Sequence, residues 1–145
     1  MEEDVNGMVG FAGPEPGSFC WTEIAVSDAD KCVDFYTNVF GWKFQSGGGG
    51  AAGMDYREYT TGDEYPAGGL YQIDPQWFGG NPPPPHFMTY VAVEDVDANA
   101  ELAKELGGKV HKVVDIPNTG RMAIIEDPTG AMIATFKMQA GGHHG

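Results

Sequence analysis

The sequence predicts an α+β fold made of two successive strand–helix–three-strand (βαβββ) units. Three observations carry this. Residues 20–44, CWTEIAVSDADKCVDFYTNVFGWKF, change from alternating to helical apolar spacing and back again. Residues 88–110, MTYVAVEDVDANAELAKELGGKV, repeat that order 67 positions later, from Thr22 to Thr89. Between the two copies lies a proline-rich stretch, PQWFGGNPPPP, at 75–85.

In the first copy, Ile24 and Val26 alternate with Glu23 and Ala25, as in a strand. Ser27-Asp28 caps a helix, because a short side-chain oxygen accepts a free N–H of the first turn. Val33, Tyr36, Val39 and Phe40 follow at helical spacing. Gly41 ends the run, and Trp42 and Phe44 resume alternation. After the flexible QSGGGGAAG, the segments MDYREYTT and AGGLYQI read as two more strands.

The second copy keeps cap, core face and terminating glycine in register. Ile24 matches Val91, Val26 matches Val93, Asp28 matches Asp95 and Gly41 matches Gly108. HFMTYVAV is a strand, Asp95 to Leu106 a helix, and KVHKVVDI, RMAIIE and AMIATFKM three strands, the last two around the turn Asp127-Pro128-Thr129-Gly130. The units are therefore about 18–74 and 86–138, with tails at 1–17 and 139–145. The prolines of the 75–85 linker favour an extended spacer. Trp77 and Phe78 are expected to pack it down, a pocket wall being the other reading.

Length and composition narrow the function. At 145 residues with 41% hydrophobic content, the chain can bury a core. No apolar run approaches the roughly 20 residues of a membrane span. The acidic start, MEEDVNGMVG, lacks a signal peptide's basic and apolar regions, so a cytoplasmic protein is expected. The net charge of −13 disfavours nucleic acid, which needs clustered Lys and Arg. It fits a solvated acidic surface, a saline habitat or a cationic ligand. Strand and helix rise put Cys20 and Cys32 roughly 20 Å apart, beyond the reach of a disulfide, so both are expected as free thiols.

FCWTEIAVSD, VDFYTNVFGWKF, YVAVEDVDA and IIEDPTGAMIATF together resemble the vicinal oxygen chelate superfamily, which includes glyoxalase I, extradiol dioxygenases, and fosfomycin and bleomycin resistance proteins. The resemblance covers about 18–138. It implies two βαβββ units around an open cleft, a divalent metal in that cleft, and frequent dimers; a homodimer is expected here, since open sheet edges also favour pairing. The family's metal positions fall on Trp21, Met88, Ala134 and a place within Gly68-Gly69-Leu70-Tyr71. None is a side chain that a hard cation takes. No metal and no other cofactor is therefore expected.

Strand parity gives the cleft independently. Thr22, Ile24 and Val26, like Thr89, Val91 and Val93, suit the helix-packed side. Trp21, Glu23 and Ala25 face the other way, with His86, Met88, Tyr90 and Ala92, and with Ala134 and Phe136 on the last strand. Trp21, Glu23, His86, Met88, Tyr90 and Phe136 are the candidate ligand-binding residues. Glu23 reads as a base or a cation anchor, or else as a structural ion paired with Arg57, Arg121 or backbone donors. His86 reads as ligand, acid or base, or as a surface residue ending the linker. Tyr90 reads as cleft wall or proton donor, and His111 has no assigned role.

Three functions remain open on this reading. One is metal-independent binding of a small organic molecule, as bleomycin resistance proteins bind theirs. Another is an enzyme of glyoxalase or dioxygenase type, with acid–base chemistry alone or a non-standard divalent metal set such as Glu23 and His86, completed at a dimer interface. The third is a diverged scaffold.

Overall fold

A computed structural model describes residues 14–46 and 55–139. The tail residues 1–13 and 140–145, and the glycine-rich connection at 47–54, lie outside the described residues. The first unit comprises β1 (Phe19–Val26), α1 (Ala29–Phe40), β2 (Lys43–Ser46), β3 (Tyr56–Thr60) and β4 (Gly68–Gln72). The second comprises β5 (His86–Ala92), α2 (Val96–Glu105), β6 (Lys109–Ile116), β7 (Gly120–Glu126) and β8 (Met132–Met138). Both show the expected βαβββ order.

The eight strands form one mixed sheet in the order β2-β3-β4-β1-β5-β8-β7-β6. Each unit closes by pairing its first strand in parallel with its last, β1 with β4 and β5 with β8. The units then join through their first strands, β1 antiparallel to β5. In that pairing Thr22 stands opposite Thr89, its own counterpart in the duplication. A pseudo-twofold axis therefore runs between these two threonines, and Trp21↔Tyr90 and Glu23↔Met88 are the same pair seen from either unit.

Both helices start as their caps require. The Asp28 carboxylate accepts from the Lys31 backbone N–H at 3.1 Å, and that of Asp95 from Ala98 at 3.0 Å. Gly41 stops α1 in a left-handed conformation, φ 76°, that costs glycine little. Ile24, Val26, Ala29, Leu70 and Tyr59 make the core between α1 and the sheet, with Val33, Tyr36 and Phe44 against them. Trp42 stacks between Tyr36 and Tyr59, at 5.2 and 4.7 Å, and closes that layer. Val39 and Phe40, expected on the apolar face, instead stand more than half exposed beyond it.

The linker also departs from expectation. Asp74 accepts from the Gln76 N–H at 2.8 Å, which starts a turn. Residues 77–80 then curl, with Phe78 and Gly79 at φ 57° and 68°, instead of running extended. Trp77 does pack down, 6.1 Å from the ring of Tyr71, but Phe78 points outward and is exposed. Cys20 and Cys32 are free, Cys20 beside Tyr90 and Cys32 on α1, packed against the first unit's core. No helix among the described residues is long and apolar enough to cross a membrane.

Candidate functional site

The site is built on the sheet face away from the helices. The β1–β5 register sets Trp21, Glu23, Met88 and Tyr90 side by side there, because residues directly opposite in a ladder share a face. Phe136 joins them, its ring edge-on to Tyr90 at 6.5 Å. Ala134, Met122, Ile124, Val114 and Ile116 continue the floor beneath the second unit. In the first unit Tyr56 and Tyr71 stack at 6.3 Å and, with Trp77, extend the aromatic wall.

Glu23 is the centre of this face. The Tyr90 hydroxyl donates to its Oε1 at 2.8 Å and the Tyr56 hydroxyl to its Oε2 at 2.9 Å. Trp21 Nε1–H in turn donates to the Tyr56 oxygen at 2.9 Å. An indole N–H can only donate, so the Tyr56 oxygen accepts there, and its own proton is directed to Glu23. The polarity of the chain Trp21→Tyr56→Glu23←Tyr90 is thereby set. Each carboxylate oxygen holds one tyrosine proton and keeps capacity for another donor.

Small residues make this reach possible. Gly69 lies on β4 between Tyr56 on β3 and Glu23 on β1; a Cβ there would stand 2.2 Å from the Tyr56 ring. On the second unit Ala134, fully buried, lies on β8 between Tyr90 and Met122, whose sulfur is 3.7 Å from the Tyr90 hydroxyl. Gly69 pairs with Glu23 as Ala134 pairs with Tyr90, and Tyr90 is the counterpart of Glu23. Gly69 and Ala134 are therefore the same position in the two units.

That equivalence completes the test of a metal site. The four positions at which the resemblance implies ligands carry Trp21, Gly69, Met88 and Ala134, and none offers a donor for a hard divalent ion. Among the described residues no three His, Cys, Asp or Glu stand close enough to hold one. The alternative pair, Glu23 and His86, supplies two donors where a site typically takes three or more. His86 turns its Nδ1 to the Pro84 carbonyl at 2.7 Å. A carbonyl only accepts, so Nδ1 carries the proton and Nε2 is the atom left for a ligand.

Burial pushes the Glu23 carboxyl above its ordinary value; the hydroxyls of Tyr90 and Tyr56 oppose this, as do the charges of His86 and Lys112. Tyr56 and Tyr90 are pushed far above the ordinary phenol range, first by burial and then by the charge of Glu23. Tyr71 rises to about 12 for the same reasons. The arginines expected as alternative partners of Glu23 lie elsewhere. Arg57 pairs with Asp30 and Asp55, and Arg121 with Asp97 and Asp115. Among the described residues the carboxylate thus takes its hydrogen bonds from neutral hydroxyls. His111, at the edge, pairs with Glu126 at 2.6 Å.

A pH dependence follows. A carboxyl whose folded value lies above its unfolded one holds its proton more tightly in the native state. Its contribution to stability is complete below the ordinary value of 4.5 and is lost as pH rises through the folded value. Glu23→Gln removes that term. The stability of the wild type relative to this variant should fall as pH rises from 4 upward, read as the difference in Tm between the two. A difference that stays flat with pH would contradict the burial of Glu23.

Tyr56 and Tyr71 were not among the residues singled out from sequence. The alternation in MDYREYTT puts Tyr56 and Glu58 on one face, but only the sheet order carries that face to Glu23. Two open hollows lie elsewhere: one of about 460 Å3 near Pro117 and Gly120, the other of about 530 Å3 along α2 near Asn99 and Leu102. Neither is lined by Glu23 or by the tyrosines that hydrogen-bond to it.

Comparison with known proteins agrees with this architecture. The family model for the Glyoxalase/Bleomycin resistance protein/Dioxygenase superfamily matches residues 18–135. A protein named putative glyoxylase CFP32, from Mycobacterium tuberculosis, is 35% identical over 130 residues, covering 86% of this chain and 46% of that protein. The anthracycline biosynthesis protein DnrV of Streptomyces peucetius is 29% identical over 130 residues, covering 84% and 47%. The chain thus spans less than half the length of these relatives. Among solved structures, methylmalonyl-CoA epimerase from Mycobacterium tuberculosis superposes with a TM-score of 0.60 at 16% identity, covering 85% of this chain and 88% of that one. Homoprotocatechuate 2,3-dioxygenase from Brevibacterium fuscum superposes with 0.57 at 18%, covering 88% and 39%. At these identities the likeness to the solved structures is one of fold.

Proposed function

Since the chain belongs to the glyoxalase/bleomycin resistance protein/dioxygenase superfamily, we propose that it binds a small aromatic molecule bearing a cationic or hydrogen-bond-donating group, without a metal, on its helix-free face. The observation carrying this is the Glu23 carboxylate. It is largely desolvated, receives two tyrosine protons and forms no ion pair among the described residues. Such a charge is costly unless compensated, and a ligand's ammonium or N–H would compensate it. Trp21, Tyr56, Tyr71 and Trp77 supply the apolar and cation–π surface around it. His86, Met88, Tyr90 and Phe136 complete the proposed contact set.

The raised Glu23 carboxyl also suits a general base, and the relative named putative glyoxylase favours an enzyme as the second reading. The two separate by experiment. Binding of 4-(aminomethyl)biphenyl and of its uncharged alcohol analogue, followed by tryptophan fluorescence, tests the anchor. Glu23→Gln should weaken the amine roughly tenfold or more and leave the alcohol nearly unchanged, since a charge-assisted hydrogen bond is lost. Trp21→Ala should weaken both. If Glu23→Gln leaves the affinity of the amine intact and only lowers Tm, Glu23 is a structural ion and the binding reading fails.

A further inference from the structure

The duplication leaves the two helix–sheet layers unequally filled. In the first unit Ile24, Tyr59 and Leu70 are buried under α1. The pairings Ile24↔Leu70 and Tyr59↔Gly68 recur in the second unit as Val91↔Thr135 and Ile125↔Ile133. Val91, Ile125 and Thr135 are therefore the counterparts of Ile24, Tyr59 and Leu70. α1 lays Val33 and Tyr36 on its core, whereas the same positions of α2 hold Ala100 and Ala103. Less side chain enters the second layer. Val91, Ile125 and Ile133 are only half-buried, and the hollow of about 530 Å3 along α2 opens over them.

This hollow has aliphatic walls and a polar floor. Ala98 and Leu102 line it from the helix, and no aromatic side chain does so. Thr135 lies on the floor, 4% exposed. Strand parity turns its side chain away from the face of Ala134 and Phe136 and toward α2. Its Oγ1 is buried with no hydrogen-bond partner among the described residues, where its counterpart Leu70 needs none. A buried hydroxyl left unpaired is costly, and a group seated in the hollow would relieve it. Asn99 lines the hollow where α1 has Cys32, and its side-chain amide makes no hydrogen bond among the described residues. Glu94 and Asp95 stand at the rim beside Pro16 and Gly17, whose turn is pinned by the Gly17 N–H donating to the Ala92 carbonyl at 2.7 Å.

We infer that this hollow is a second ligand site, on the opposite side of the sheet from Glu23 and independent of the reading given for that face. It takes a neutral aliphatic molecule with one hydroxyl or carbonyl oxygen. The chain of the ligand lies on the aliphatic walls, and its oxygen pairs with Thr135 and Asn99. A carboxylate is disfavoured, because the nearby acidic side chains repel it and its charge would be buried without a cation.

The test titrates the full chain with 1-octanol and with octanoate, followed by amide NMR shifts. In the wild type 1-octanol should move the signals of Asn99 and Thr135, and octanoate should bind about tenfold or more weakly. Thr135→Val keeps the shape of the side chain and removes the hydroxyl. It should raise the Tm of the free protein and weaken 1-octanol roughly fivefold. Ala98→Phe, at an exposed helix position, should fill the hollow and abolish binding, while Glu23→Gln should leave it unchanged. The inference is overturned if 1-octanol moves no signal along the hollow, if octanoate binds equally well, or if Ala98→Phe binds as the wild type does. It is overturned also if Thr135→Val raises Tm without weakening the alcohol, which would leave the hydroxyl a plain stability cost. If Ala98→Phe instead changes the sedimentation of the ligand-free chain, a second copy occupies the hollow and the small-molecule site falls.

Discussion

Replacing Gly68 with alanine should destabilise the protein more than any other single methyl added to the sheet. The new Cβ would stand 1.8 Å from the Thr22 carbonyl oxygen and 2.7 Å from its carbon, with the Tyr59 hydroxyl at 2.8 Å. Two of these three atoms are backbone of the neighbouring strand, and they cannot move without opening the β1–β4 ladder. The Tyr59 hydroxyl is itself committed to the Thr22 oxygen at 2.9 Å. Overpacking of this kind costs about 3 kcal/mol or more. For a chain of this size that is roughly 6 to 12 °C in Tm. A thermal scan in which Gly68→Ala melts within about 1 °C of the wild type would show that β4 does not approach β1 as closely as described.

Removing one oxygen from Tyr56 should damage the site at two points. Tyr56→Phe leaves Trp21 Nε1–H without its acceptor and Glu23 Oε2 without its donor. Unmade hydrogen bonds of partly buried groups cost about 1–3 kcal/mol each. The Tyr56 bond lowers the Glu23 carboxyl, so its loss should move that carboxyl further upward. The variant should therefore melt several degrees lower, and the Glu23-dependent fall in stability should extend to higher pH. Tryptophan fluorescence should change as well, through the released indole. Tyr59→Phe serves as a control: its hydroxyl binds the Thr22 carbonyl and does not touch Glu23. If Tyr56→Phe shifts neither the pH profile nor the fluorescence, the chain Trp21→Tyr56→Glu23 does not exist in solution.

Local signals carried much of the fold. Asp28 and Asp95 cap the helices that their positions announce, Gly41 stops the first helix, and Asp127 folds the last hairpin by accepting from the N–H groups of Thr129 and Ala131. These are short-range interactions between residues a few positions apart, so residue order is enough to reveal them. Strand parity likewise placed Trp21, Glu23, Met88 and Tyr90 on one face, and the structure sets them side by side. Parity could not see Val39 and Phe40 leaving the core, because Trp42 folds back to close the layer. Nor could it see Phe78 turning outward, because that follows from a left-handed turn at a non-glycine residue.

What the sequence determined by itself is the duplicated βαβββ order, the helix ends and the aromatic character of the face around Glu23, since all of these are written in spacing and residue type. The partner of Glu23 was decided only by tertiary structure. From sequence, arginines were the obvious counter-ions, yet both are drawn to aspartates on or beside their own strands and on the packed helices. The carboxylate instead meets Tyr56 and Tyr90, 33 and 67 positions away. They reach it because β4 inserts between β3 and β1 with only Gly69 beneath the Tyr56 ring, and because β1 and β5 join antiparallel about Thr22 and Thr89. Sheet order and register are long-range choices, made by the burial of whole faces, and no local pattern around Glu23 encodes them.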